Sequence, residues 1–353
     1  MALPSSSRYL LPLLLAAGAH ANDGAPLTRL GRIGPYELLA PLGSGGMGDV
    51  HLAIERGEVL RRVALKQIRA DLDDRDAERR FALEAQALAL AEHDNIARLF
   101  AHGRTSEGVA WIAMEYVDGE PLLAAADRRR LDVDTRIELF LGLCDAVEHL
   151  HDRGIWHRDL KPANVLVTER NDRLVPKLID LGLANLPAYG PDAPSELSGT
   201  LSHMAPEQFR ADSRPDHRAD VYSLGLILYE LLAGSLPELP RDVRSESVSL
   251  TRRQPLALST RLAMNPTKES IAAQRGTTVR SLARRFTRGL DGVVAAALAE
   301  DPNQRIASAR DLAEGLRRER EGELARHRTR ERTLFALCAS ALGAAATWIA
   351  TLL

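Results

Sequence analysis

The sequence predicts an α+β chain of two lobes, a small strand-rich lobe followed by a larger helical one, with a membrane-crossing helix at its end. Three observations carry this. Apolar residues between 36 and 117 recur in short strand-like runs around a single helical segment, whereas the longer periodic segments after 118 are helical. A glycine-rich turn, Gly43 to Gly48, separates the first two strands. The last 21 residues, 333–353, carry no charge, and about 20 helical residues cross a hydrocarbon core of about 30 Å.

The elements follow in order. Residues 36–42 read as a strand, 43–48 as a turn, and 50–53 and 62–68 as further strands. Residues 75–92 have a helical period that puts Phe81, Ala85 and Leu88 on one face with Glu84 nearby. An apolar strand at 111–117 ends at Asp118-Gly119. Residues 135–151 form an amphipathic helix, and 221–232 are so continuously apolar that the helix is expected to be buried on all sides. Helices at 290–299 and 309–318 close the lobe, and no internal repeat is present. Residues 317–332 hold seven Arg and four Glu. An arginine excess beside a span places that side in the cytoplasm.

Composition excludes several classes. With 45% hydrophobic and 27% charged residues, 25 glycines and 18 prolines, the chain is neither disordered nor collagenous. Its 46 Lys+Arg against 48 Asp+Glu leave a net charge of −2, with no global basic excess for nucleic acid. Two cysteines, Cys144 and Cys338, make neither a disulfide framework nor a four-ligand zinc site. Only four basic residues are lysine: Lys66, Lys161, Lys177 and Lys268. The position of each lysine is therefore informative.

Gly43-x-Gly45-x-x-Gly48 lets the backbone approach phosphates closely. A dinucleotide-binding turn would need a helix directly after the last glycine. Here a strand follows, from Val50, so a flap over phosphates fits better. Val63-Ala64-Leu65-Lys66 puts a lysine inside an apolar strand, which is costly unless phosphate or carboxylate pairs it, and Glu84 can supply the carboxylate. His157-Arg158-Asp159-Leu160-Lys161-Pro162-Ala163-Asn164 gathers a carboxylate able to accept a hydroxyl proton, a lysine able to neutralise a transferring phosphoryl group, and an amide able to ligate Mg²⁺. Asp180, in Ile179-Asp180-Leu181-Gly182, offers a second hard oxygen ligand.

Taken together and in this order, these residues resemble the protein-kinase signature set, and more narrowly the eukaryotic-like serine/threonine protein kinases of bacteria. The resemblance covers about residues 36–318. It implies a small lobe at 36–117 and a large lobe at 118–318; beyond it the composition gives an Arg/Glu-rich juxtamembrane segment at 319–332 and a transmembrane helix at 333–353. ATP and Mg²⁺ are the cofactors it implies. Leu42, Gly43, Ser44, Gly45, Gly46, Met47, Gly48, Asp49 and Val50 would cover ATP, with Ala64 also at the nucleotide. Lys66 would hold the phosphates and pair with Glu84. Met114 would guard the pocket, and the backbone of Glu115 to Val117 would read adenine. Asp159 would be the catalytic base, Lys161 would accompany Ser/Thr specificity, and Asn164 and Asp180 would bind Mg²⁺. Ala205-Pro206-Glu207 would end the activation segment, with Glu207 paired to Arg305. Asp220 would anchor the catalytic loop, and Leu88, His157 and Leu181 would stack as spine residues. His149 and His151 read as ordinary helix residues.

Some features depart from the family pattern or go beyond it. Leu181 stands where Phe is usual and can fill the same apolar slot. Residues 169–173 make a slightly long surface turn. Residues 241–288 carry eleven Lys/Arg against three Asp/Glu. They read as a solvated, partly helical insert, or as a docking surface for an acidic partner or anionic lipid. Arg158 implies regulation by a phosphate on the activation segment, where Tyr189, Ser195 and Ser198 are candidates and autophosphorylation is expected at Ser195 or Ser198. Thr200 would contact Asp159 and Lys161. Protein substrates are expected, and a homodimer through the small lobes is open by family analogy.

The N-terminus carries Arg8, an apolar run over 9–19 and Ala19-His20-Ala21, the features of a secretory signal. ATP-dependent chemistry argues for a disordered or amphipathic leader at 1–35 instead, and for a single-pass protein of the inner membrane with its catalytic lobes in the cytoplasm. Two other functions are less consistent with these residues. A nucleotide-binding pseudokinase scaffold would be expected to lack a catalytic Lys, Asp or metal ligand, and none is lost. A small-molecule phosphotransferase would not need Ala205-Pro206-Glu207 and a complete activation segment.

Overall fold

Alternation of side chains along strands builds the first layer. The computed structural model describes residues 30–45, 48–57, 59–68, 75–181, 202–209, 215–237, 255–326 and 328. Six strands form one antiparallel sheet: β1 (Gly31–Ile33), β2 (Tyr36–Gly45), β3 (Gly48–Glu55), β4 (Arg61–Ile68), β5 (Leu99–Arg104) and β6 (Ala110–Glu115). Their order is β1-β2-β3-β4-β6-β5. Successive side chains leave opposite faces of a strand. Val63 and Leu65 on β4 enter a cluster with Tyr36, Leu38, Ala53, Trp111 and Ala113. Ala64 and Lys66 therefore face the other way, as do Ile112 and Met114 on β6. That face carries helix α1 (Arg75–Leu90), which packs Ala85, Ala87 and Leu88 into the main core beside buried Glu84.

The chain crosses to the second lobe over 116–119. There β7 (Glu120–Pro121), β8 (Val165–Arg170) and β9 (Arg173–Leu178) form a small sheet. The expected surface turn joins β8 to β9 through Asn171 and Asp172, both left-handed at φ 49 and 59, as a two-residue type I′ turn requires. The described helices of this lobe are α2 (Leu122–Arg128), α3 (Val133–His151), α4 (Arg218–Ala233), α5 (Leu258–Met264), α6 (Lys268–Gln274), α7 (Val279–Arg285) and α8 (Asp291–Ala297), with α2 and α3 packed on the small sheet. A further helix runs over 309–326. Helix α3 starts at Asp132, whose carboxylate accepts the Thr135 N–H at 2.8 Å. Helix α4 is buried almost all round, as its apolar run predicts. At Gly225 a side-chain carbon would come within 2.8 Å of Leu298, so only glycine permits that approach.

Two buried arginines gather helix ends. Arg136 donates to the carbonyls of Ala126, Leu131, Leu231 and Gln274, and Arg275 to those of Leu231, Leu232 and Ile271. The C-terminal ends of α2, α4 and α6, with their partial negative charge, thus meet at two guanidinium groups. Burial, then the repulsion of Arg136, lowers Arg275 to about 10.

Several sequence expectations are revised. The expected leader gives Gly31–Ile33 to the sheet, because Gly34 at φ 52 turns the chain back on β2. Strands β1 and β5 have little apolar period and were not legible. The described part of the basic insert is ordered as α5, α6 and α7, with Leu258, Leu262, Ile271 and Leu282 buried. Arg285 pairs with Asp134 and Glu319, and Arg288 with Glu323. The last helix continues past 318 and lies on α3, through Arg310 with Glu148 and Asp152, Arg317 with Asp145, and Arg320 with Glu138. Part of the expected juxtamembrane arginine excess is thus spent on the protein itself. The leader to 29, Gly46, Met47, Gly182, Tyr189, Ser195, Ser198, Thr200, residues 241–254 and 333–353 lie outside the described residues. Among the described residues no helix is long and apolar enough to cross a membrane.

Candidate active site

The register of the sheet places the nucleotide-side residues. Gly43 pairs with Val50, Val50 with Lys66, and Ala64 with Met114. Leu42 and Val50 pack against the main core. Ser44, Gly45, Gly48 and Asp49 continue the β2–β3 hairpin toward the glycine turn. Lys66 reaches across to α1, where its Nζ donates to Glu84 Oε1 at 2.7 Å and Oε2 at 2.8 Å. The same ammonium donates to Asp180 Oδ1 at 3.0 Å. A buried sheet lysine, a buried helix carboxylate and a partly exposed carboxylate from beyond β9 thus share one charge network.

The electrostatics distinguish the two carboxylates. Burial pushes Glu84 up to about 7, against the pull of Lys66. Burial also pushes Asp180 upward, but the charge and hydrogen bond of Lys66 outweigh it and hold this carboxyl at about 2. Lys66 is lowered by burial and raised more by its two carboxylate neighbours, so it stays charged. Asp180 is therefore ionised throughout the physiological range, and Glu84 is the carboxyl nearest to taking up a proton.

The second constellation comes from the loop after α3. Asp159 is mostly buried, and Lys161 Nζ donates to its Oδ2 at 2.8 Å. Asn164 Nδ2 donates to the Asp159 carbonyl at 3.0 Å, and the Ile179 N–H donates to the Asn164 carbonyl at 3.0 Å. These bonds set Asn164 beside the strand end that leads to Asp180. A carboxamide oxygen and an ionised carboxylate are hard donors that fit Mg²⁺ held mainly by phosphates. Among the described residues no group of three or more His, Cys, Asp or Glu side chains forms a self-contained metal cage.

Backbone strain in this loop has a visible restraint. Arg158 sits at φ 64, a left-handed conformation that costs a non-glycine residue roughly 1–2 kcal/mol. Buried Asp220, near the start of α4, accepts the N–H of His157 at 2.8 Å and of Arg158 at 2.7 Å. Its Oδ2 also lies 2.9 Å from His151 Nε2. His151, read from sequence as an ordinary helix residue, thus supports the anchor. Gln208 is a second missed residue: its Nε2 donates to the Arg158 carbonyl at 3.1 Å, and its Oε1 accepts from Ala205 N at 2.9 Å. It ties the 202–209 segment to the loop. Glu207 and Arg305 form the expected pair, at 2.6 and 2.9 Å. Leu88 and Leu181 lie in the main core, and His157 is fully buried. Val117 is buried, and the side chain of Glu115 is taken by Lys177 at 2.8 Å and Arg170 at 2.5 Å.

Residues 36–315 match the family described as protein kinase domain. The chain is 35% identical to the serine/threonine-protein kinase PknB of Mycobacterium leprae over 296 residues, which is 82% of this chain and 43% of that protein. It is also 35% identical to the serine/threonine-protein kinase pkn2 of Myxococcus xanthus over 226 residues, 61% of this chain and 27% of that protein. It therefore spans less than half the length of either relative. Among solved structures, the Mycobacterium tuberculosis PknI kinase domain superposes with a TM-score of 0.58 at 29% identity, covering 84% of this chain and all of that one.

Proposed function

The chain belongs to the protein kinase domain family, and on that premise we propose that it transfers the γ-phosphoryl group of ATP to serine or threonine hydroxyls of protein substrates. The observation that carries this reading is the meeting of two constellations. The Lys66–Glu84–Asp180 network stands ready for phosphates, and the Asp159–Lys161 pair at 2.8 Å stands ready for the hydroxyl.

Each residue has a chemical task. Lys66, aimed by Glu84, neutralises phosphate oxygens on the nucleotide. Asp159 orients the substrate hydroxyl and takes its proton as the oxygen attacks phosphorus. Lys161 balances the charge that gathers on the moving phosphoryl group. Asn164 and Asp180 would hold Mg²⁺, which when bound neutralises and orients the phosphate chain. Asp220 keeps Asp159 in place through the backbone of His157 and Arg158.

Further parts of the proposal rest on sequence. The charge-free run 333–353 and the arginines before it support a single-pass anchor in the inner membrane, with the catalytic lobes in the cytoplasm. Autophosphorylation at Ser195 or Ser198 fits Arg158, whose Nη2 donates to the Pro215 carbonyl at 3.2 Å, between the loop and the chain leading to α4. A homodimer belongs to the same proposal.

The test is labelled phosphate transfer by the full chain with ATP and Mg²⁺, beside Lys66→Met and Asp159→Asn. Incorporation on Ser/Thr, lost in both variants, is expected, and a peptide map should place it on Ser195 or Ser198. Absence of transfer by a chain that binds ATP would overturn the catalytic reading. The anchor has its own test: in flotation with phosphatidylcholine vesicles the full chain should rise with lipid even in high salt. Recovery only in the soluble fraction would refute it.

A further inference from the structure

Lys177 is one of only four lysines in the chain, and neither constellation uses it. It lies on β9, three residues before Asp180, with 3% of its surface exposed. A lysine so buried must be paired. Its Nζ donates to Glu115 Oε2 at 2.8 Å and to the Ile96 carbonyl at 3.2 Å. Arg170, at the far end of the β8–β9 hairpin, donates to the other oxygen of Glu115 at 2.5 Å. Glu115 is the last residue of β6, where the chain leaves the large sheet for the second lobe. Its own N–H donates to the Arg98 carbonyl at 2.8 Å.

The surroundings make this a rivet between lobes and not an isolated surface pair. Residues 95–97 lie against β9 as a parallel bridge between Ile96 and Leu178. Ala97 N–H donates to Leu178 O at 2.8 Å, Leu178 N–H to Asn95 O at 2.8 Å, and Asn95 Nδ2 to Pro176 O at 2.8 Å. The segment between α1 and β5 is therefore sewn to the strand that carries Lys177. The same lysine then reaches on to the crossing segment. Its two bonds fix Glu115 relative to both α1's connector and β9.

We propose that Lys177 is a positioning residue for the nucleotide: with Arg170 it grips the Glu115 carboxylate from the large lobe and so fixes the 115–117 backbone, to which the kinase resemblance assigns adenine. The inference rests on the ATP-dependent reading above. It assigns this rivet to nucleotide affinity and not to the transfer step, because none of its atoms joins the Asp159–Lys161 pair or the Lys66 network. The grip is asymmetric. Removing Lys177 leaves Glu115 with the half-exposed Arg170 and the Arg98 N–H at 3.3 Å, whereas removing Arg170 leaves the buried bond in place.

The full chain as wild type, Lys177→Met, Lys177→Arg, Glu115→Gln and Arg170→Gln tests this. Two readouts separate it from the functional reading: the dissociation constant of ATP by calorimetry, and KM and kcat of phosphate transfer. For Lys177→Met and Glu115→Gln the dissociation constant and KM should each rise about tenfold while kcat stays within about twofold. Their combination should rise no further, because either change breaks the same contact. Lys177→Arg should recover most of the affinity, and Arg170→Gln should lose only about threefold. Unchanged ATP affinity in Lys177→Met, additive losses in the double variant, or a fall in kcat at unchanged affinity would overturn the proposal. Should Lys177→Met not fold, the Arg170→Gln and Glu115→Gln affinities decide it on the same terms. A wild type that binds ATP but transfers nothing defeats the catalytic reading, while the calorimetric series still tests the rivet.

Discussion

Lys66 and Arg305 are both buried cations bonded to buried carboxylates, yet they are held in different ways. Arg305 forks onto Glu207 and also donates to the carbonyls of Ala299, Arg218 and Glu300. Every one of those partners is fixed by the large lobe. Lys66 has two carboxylate partners from two parts of the molecule, and Asp180 is about one-third exposed (36%). One arrangement is saturated by groups that cannot leave. The other is a set of charges that phosphate and metal can redistribute without breaking the fold. Burial alone thus does not distinguish scaffold from site; the exchangeability of the partners does.

The largest expected effect divides the two. Arg305→Ala leaves Glu207 buried and unpaired and should cost about 3–5 kcal/mol of unfolding free energy. Lys66→Met should abolish phosphate transfer, yet change stability by no more than about 1 kcal/mol, because Glu84, already at about 7, can take up a proton when its partner is lost. Thermal melts of both variants check this. A Lys66→Met chain as unstable as Arg305→Ala would erase the distinction.

A smaller effect sharpens it. Lowering pH through about 7 protonates Glu84 and releases its ion pair with Lys66, whereas Asp180, held at about 2, stays charged. The sign is a loss of activity on the acid side. Between pH 8 and pH 6, kcat/KM should fall about tenfold. Glu84→Gln should be slow and flat over that range. A wild-type profile flat to pH 5 would show that Glu84 does not control the pair.

How much of this was legible depends on sequence distance. Gly43 to Val50, Lys66, Asp159 to Asn164 and Asp180 lie in short runs whose composition states their chemistry, and the period of β4 already puts Lys66 opposite Val63 and Leu65. His151 and Gln208 escaped because their partners, Asp220 and Arg158, are 69 and 50 residues away. Nothing local distinguishes a histidine that supports a buried carboxylate from one on a helix surface. Lys177 stood out by rarity alone; its role needed Glu115, 62 residues earlier. The basic insert misled for a related reason. Arginines that count as surface charge in a sequence can be interior hydrogen-bond donors, as Arg275 is to three carbonyls.

The most direct test of the whole account combines binding and transfer in one variant. The full chain carrying Asp159→Asn should bind ATP with Mg²⁺ as the wild type does, while its phosphate transfer to Ser/Thr falls by about a thousandfold. Transfer persisting in that variant, or a wild type that binds ATP and moves no phosphate, would contradict the assignment of Asp159 and with it the reading of this chain as a serine/threonine kinase.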